Sequence, residues 1–265
     1  NTPTLAYIYQ WFNNGPDRVQ SAWNKWTFPS TTRALWMGMQ GSKVYLMVSW
    51  GSTYSLEVID TEYEGDEDLG IPLRADHRVN EDYISATGEG YVDVTLPYEV
   101  PEAKRDNFVS YYRVNDDGTG EQRGQLLETE WQSSTVIRVY TDVASPRLWV
   151  GSKIKSYREL PKVYITDQQG AAVLMDGLSI ASLKVSHTNS TAYKVQVFVV
   201  GDEEVTAESE FSARISGDPE VVNNRVPVES SGEFDIRVGY GTEECRIRLL
   251  NDTIYPSSWD SLRYM

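Results

Sequence analysis

A chain of 265 residues with 40% hydrophobic and 24% charged side chains is long enough to bury a sizeable core, in two or three modules. Its 39 acidic against 24 basic residues, a formal charge of −15, argue against a tight grip on nucleic acid, which needs basic surface to displace counterions. The single Cys245 excludes an intrachain disulfide framework and a multi-cysteine metal site, and no apolar run approaches the roughly 18 residues of a membrane span.

The N-terminal Asn1-Thr2-Pro3-Thr4-Leu5 carries no signal-peptide pattern and reads as a cut end. From there the dominant pattern is period-two alternation broken by Gly, Asn, Asp, Ser and Pro, the mark of an all-β chain. Strands are expected at Leu5 to Phe12, Ala22 to Phe28, Ala34 to Met39, Lys43 to Ser49 and Tyr54 to Ile59, with Val44, Leu46 and Val48 on one face. Short antiparallel strands joined by tight turns such as Gln40-Gly41-Ser42 resemble a β-propeller blade, so residues 1–60 read as the final blade or blades of a propeller.

A middle β module with an acidic loop is expected over residues 61–140. The loop runs from Asp60 to Asp82; its acids Asp60, Glu62, Glu64, Asp66, Glu67 and Asp68 lack the spacing of a calcium loop and read as solvated. His77 reads as a polar loop residue. Strands follow near Tyr91 to Leu96, Phe108 to Val114, Gly124 to Thr129 and Thr135 to Tyr140, with a hairpin turn at Asn115-Asp116-Asp117-Gly118. Residues 141–265 show the cleanest alternation: Tyr193, Val195, Val197 and Val199 on one face, and Cys245, Ile247 and Leu249 set against Glu244, Arg246 and Arg248. This predicts a β-sandwich-like module. A phase change between Ile180 and Leu183 suggests a bulge, and His187 reads as a turn residue.

The chemistry is sparse. Two histidines exclude a His-rich zinc site, no Gly-x-Ser-x-Gly elbow occurs, and the Gly88-Glu89-Gly90 and Gly239-Tyr240-Gly241 pairs lack a third glycine and a following helix. No catalytic, cofactor-binding or metal site is expected, and no cofactor. Trp11, Trp23, Trp26, Trp36 and Trp50 place five of the eight tryptophans in the first fifty residues. Such rings serve packing between sheets or stacking on sugars, and abundant carboxylates leave a glycan-binding or glycan-cleaving role open.

The stretch Tyr7-Ile-Tyr-Gln-Trp11 and Asp17-Arg-Val-Gln-Ser-Ala-Trp23-Asn-Lys-Trp26-Thr-Phe28 resembles the tail nozzle protein, or tail tubular protein B, of autographivirus-type short-tailed bacteriophages. Gly151 to Ala172, around Tyr157-Arg158-Glu159-Leu160-Pro161, and Leu250-Asn-Asp-Thr-Ile-Tyr-Pro256-Ser-Ser-Trp259 resemble the later segments of that family, colinearly. The resemblance implies a virion structural protein at the tail tip and not an enzyme. It further implies a six-fold ring of copies, contacts with the tail adaptor ring, tail fibres and host outer surface, and a lumen for DNA leaving without specific binding. Because family chains are longer and hold most of the propeller upstream, it implies a C-terminal portion completed by the upstream part of the same protein. The motif residues Gln20, Ser21, Trp23, Lys25 and Trp26 then serve packing and assembly. Tyr157, Arg158 and Glu159 form a contact between modules or subunits, or an exposed turn. Six copies at −15 would sum to roughly −90, a wall that repels DNA; acidity for solubility alone is the alternative.

Overall fold

The computed structural model describes residues 5–14, 17–27, 32–50, 53–60, 73–113, 123–162, 165–166, 172–173, 179–213 and 228–265. They form two compact units, Asn1–Glu64 and Gly65–Met265, and strands account for nearly all of the regular structure.

In the first unit, β1 (Leu5–Asn14) and β2 (Asp17–Thr27) form an antiparallel hairpin whose register runs from Leu5 opposite Thr27 to Asn14 opposite Asp17. The second strand begins five residues before the alternation suggested, because Asp17 to Ser21 continue the ladder opposite Asn14 to Trp11. β3 (Thr32–Gln40), β4 (Lys43–Trp50) and β5 (Thr53–Asp60) make a three-stranded antiparallel meander. Gly41, at φ 61°, takes the left-handed conformation of the β3–β4 turn. Val44, Leu46 and Val48 are buried on one face and packed with Ile59, as their alternation predicts.

The second unit carries two sandwiches. Its strands are β6 (Ala75–Asn80), β7 (Ile84–Gly88), β8 (Tyr91–Thr95), β9 (Phe108–Tyr112), β10 (Leu126–Leu127), β11 (Thr129–Trp131), β12 (Val136–Tyr140) and β13 (Leu148–Lys153). They continue with β14 (Ser156–Glu159), β15 (Ile165–Thr166), β16 (Ala172–Val173), β17 (Ser179–Ser190), β18 (Ala192–Val199), β19 (Ala207–Ser212), β20 (Glu229–Gly241), β21 (Cys245–Asn251) and β22 (Ser258–Tyr264). Sheets β10-β9-β13-β6 and β11-β12-β8-β7 enclose one core, with Val79, Phe108, Leu148 and Val150 facing Val92, Val94, Ile137 and Val139. Sheets β14-β21-β18-β19 and β20-β17-β22 enclose the other, with Tyr193, Val195, Val197, Ile247 and Leu249 facing Leu183, Val185, Ile236 and Val238. Here alternation guided the core-facing residues, although β9 and β18 also bury side chains on the opposite face, Tyr111 in one and Gln196 and Phe198 in the other. β15 and β16 pair as a short hairpin.

The segment Asn251 to Trp259 clasps the two sandwiches together. The Asn251 side-chain amide donates to the Tyr255 carbonyl and the Ser257 hydroxyl, both at 2.8 Å, while its oxygen accepts from the Thr253 N–H at 2.9 Å. That tight loop presents Ile254 to Leu73 and Tyr111, both buried, and the Tyr255 hydroxyl donates to the Gly124 carbonyl at 2.9 Å. Desolvation raises the Tyr255 pKa, so the phenol stays a donor.

Five expectations are corrected. His77 lies in strand β6, not in a loop, at φ 51°, and the Tyr98 hydroxyl donates to its carbonyl. The C-terminal end of the expected acidic loop is thus a strand and a 3-10 turn, Glu81–Tyr83, held because buried Leu73 and Val79 anchor it. His187 lies in β17 and is buried, not in a turn. Tyr157 to Glu159 form edge strand β14, not a turn. The strand expected at Gly124 to Thr129 splits into β10 and β11, which join different sheets. The expected bulge is present: the β17–β20 register shifts between Ile180 and Ser182. The Asn115-to-Gly118 turn lies outside the described residues.

Gly151 sits at the register shift between β13 and β6. A Cβ there would come 2.9 Å from the Asp76 carbonyl oxygen and 3.0 Å from the Ala75 Cβ. Gly151→Val is therefore expected to cost about 1–3 kcal/mol through overpacking, read as a lower denaturant midpoint in the fluorescence of neighbouring Trp149.

Candidate functional site

The surface features that carry function are built on sheet faces and edges. In the β3–β5 meander, residues opposite each other share a face: Trp36 with Met47, Met47 with Leu56, and Tyr45 with Val58. The Trp36 ring reaches over Gly38, where any Cβ would overlap it. On this face Trp36 is 55% exposed, Met47 45%, Tyr54 68%, Leu56 60% and Val58 51%. Five large apolar side chains on one open sheet face constitute a surface made to be covered, since leaving each in water forfeits about 1.5–3 kcal/mol of burial. Sequence offered a signal here: β4 carries large apolar residues on both faces, Val44, Leu46 and Val48 on one and Tyr45 and Met47 on the other, which marks a strand covered from two sides. Among the described residues the rings of this face lie among methionine, leucine and valine, the composition of a protein seam rather than of a sugar-stacking platform.

The motif residues Gln20, Ser21, Trp23, Lys25 and Trp26 all fall in β2, opposite Phe12, Trp11, Tyr9, Tyr7 and Ala6 respectively. Lys25 and Tyr7 form an exposed cross-strand pair; the side chains of the other four lie outside the described residues. Of the acidic group, Asp60 ends β5 opposite Lys43, and Glu62, Glu64, Asp66, Glu67 and Asp68 lie outside the described residues.

Tyr157, Arg158 and Glu159 are brought onto one edge strand against β21. Arg248 lies between the Tyr157 ring, at 4.5 Å, and the Phe198 ring, at 4.6 Å, and reaches Glu159 at 3.5 Å, with Arg246 at 3.8 Å from the same carboxylate. This stack covers Phe198 and leaves the β14 side chains exposed. Tyr157 and Glu159 thus contact β21 in their own sheet.

Inside the C-terminal sandwich, His187 and Tyr193 form a polar chain that sequence reading missed. Nδ1 of His187 shares a hydrogen bond of 2.9 Å with the Tyr193 hydroxyl, while Nε2 faces Glu229 at 3.9 Å. The His187 ring packs on Phe211 at 4.2 Å. Desolvation first, and Glu229 second, push the Tyr193 phenol well above its ordinary pKa, so it stays protonated. Both rings are sealed from solvent, which makes the chain a strut and not a catalytic relay.

A cleft of about 260 Å³ opens at one end of this sandwich, lined by Leu160, Ile180, Thr242, Cys245, Ile247 and Tyr264 among others. Burial raises the Cys245 pKa, with Glu244 adding to the shift, so its thiol is a poor nucleophile. Among the described residues no three His, Cys, Asp or Glu side chains converge to hold a metal ion, and no helix is long and apolar enough to cross a membrane.

Stacked antiparallel sheets and a broad exposed apolar face mark an all-β protein built for contact with other protein. The chain belongs to the bacteriophage nozzle protein family, whose model matches residues 1–265. It is therefore a structural component of the phage virion, located in the tail, where it assembles with other tail proteins. No curated protein matches the chain.

Proposed function

We propose that this chain is the C-terminal portion of an autographivirus-type nozzle and forms part of the wall of the conduit through which DNA is ejected. Residues 1–60 supply the last blade or blades of a β-propeller, 61–140 a middle module and 141–265 a C-terminal sandwich-like module. The observation that carries this reading is the exposed apolar face of Trp36, Met47, Leu56 and Val58 on a three-stranded meander, which upstream sequence covers as a neighbouring blade. Gln20, Ser21, Trp23, Lys25 and Trp26 serve packing within the propeller, and Tyr157, Arg158 and Glu159 assembly. The ring is six-fold, sits against the adaptor ring and tail fibres, and turns its far end to the host outer surface. A net charge of −15 per copy keeps DNA sliding along the lumen without binding. The protein acts by assembly and not by turnover.

Light scattering after size exclusion tests this directly. The full-length protein is expected at six times its chain mass, with the 265-residue piece alone monomeric or prone to self-association through its open face. A well-behaved monomer in both forms would overturn the intrinsic ring.

A further inference from the structure

The outer face of the sheet β10-β9-β13-β6 gathers arginines in a chain dominated by acids. Arg78 lies over the Trp149 ring at 4.4 Å and Arg113 at 5.5 Å from its centroid. The Arg113 N–H donates to the Arg147 carbonyl at 2.8 Å, so these two residues stand opposite each other just beyond the β9–β13 ladder. Alternation places Arg147 on the same face as Trp149. Two like charges directly opposite destabilise a sheet. Glu81 answers one of them, at 2.7 Å from Arg113, and Arg78 and Arg147 remain exposed. The Arg113 Nε and the second Glu81 oxygen are buried without a hydrogen-bond partner. Stability alone gives no reason to set two arginines over one tryptophan with a third on the same face. A partner that brings carboxylates does, because arginine presents planar donors that match a carboxylate and stays charged when desolvated.

We infer that this arginine–tryptophan patch receives the acidic run Asp202-Glu203-Glu204 of a neighbouring copy. That run is exposed, lies in the turn between β18 and β19, and is the longest uninterrupted acidic stretch among the described residues. The patch and the run lie on different sandwiches of the same chain. A contact between two different surfaces repeats head to tail, which is the interface type that closes a ring. Copies that each carry −15 repel one another at distance, so a local opposite-charge contact fixes their register. The inference rests on the ring reading above and adds which surfaces meet.

The test is charge reversal on the full-length particle, followed by light scattering in low salt. Arg78→Glu with Arg147→Glu is expected to reduce the ring to smaller species, and adding Glu203→Arg with Glu204→Arg to the same chain to restore it. Arg237→Glu with Arg263→Glu, both exposed on the other sandwich, makes the same change in formal charge and is expected to leave the ring intact. An unchanged ring in the first variant overturns the inference while leaving the six-fold reading standing. Loss that the compensating pair does not restore overturns the assigned acidic partner. A wild type that is monomeric overturns the ring reading and the inference with it. Retention of labelled duplex DNA by the wild type but not by the first variant overturns it in favour of a phosphate contact.

Discussion

Tyr193→Ala is expected to destabilise the C-terminal sandwich by about 3–5 kcal/mol, the cost of removing a large aromatic side chain from a closed core. The ring stacks on Phe211 at 4.9 Å and meets Phe234 at 6.0 Å and Trp259 at 5.9 Å edge to face, so it touches strands of both sheets. Its hydroxyl is also the partner of His187 Nδ1. Tyr193→Phe keeps the ring contacts and leaves the imidazole nitrogen buried without a partner, which predicts a smaller loss of about 1–3 kcal/mol. Denaturant melts followed by the fluorescence of Trp259 separate the two: a Phe variant as unstable as the Ala variant would place the stability in the polar chain, and an unchanged Ala variant would deny that the aromatic cluster holds the sheets together.

Met47→Lys combined with Leu56→Lys is expected to leave the meander folded and, on the proposed reading, to abolish its union with a neighbouring blade. Both side chains point from the exposed face, so the cores of Val44, Leu46 and Val48 are untouched. Each apolar side chain forfeited at a fully buried seam costs about 1.5–3 kcal/mol, and two together weaken association more than a hundredfold. The readouts are opposite in sign: the 265-residue chain becomes less prone to self-association, while the longer protein and ring of the proposed function, if that proposal holds, lose their melting transition or their assembly. Wild-type behaviour in both would show that this face is not a seam.

The β class and the inward residues of the C-terminal sandwich were legible in the sequence because strands buried on one face write their environment as alternation. Cys245, Ile247 and Leu249 against Arg246 and Arg248 are the clearest case, and the structure buries the first three. The bulge near Ile180 was legible for the same reason, as a break in phase. Strand β6 was hidden because Asp76, His77 and Arg78 are polar at its centre, and its place in the sheet is set by partners far away, β13 above all. His187 was misread because polar Thr188 and Asn189 follow it; what makes the position buried is Phe211 and Tyr193 arriving from other strands.

The sequence by itself determined an all-β, strongly acidic chain with a single thiol and the motifs of a phage nozzle, since composition and local periodicity depend only on near neighbours. Tertiary structure alone decided which faces are left open and which charges meet. The apolar face of β3–β5 and the arginines around Trp149 exist only once distant strands pair, because cross-strand register, not sequence spacing, sets which side chains share a surface.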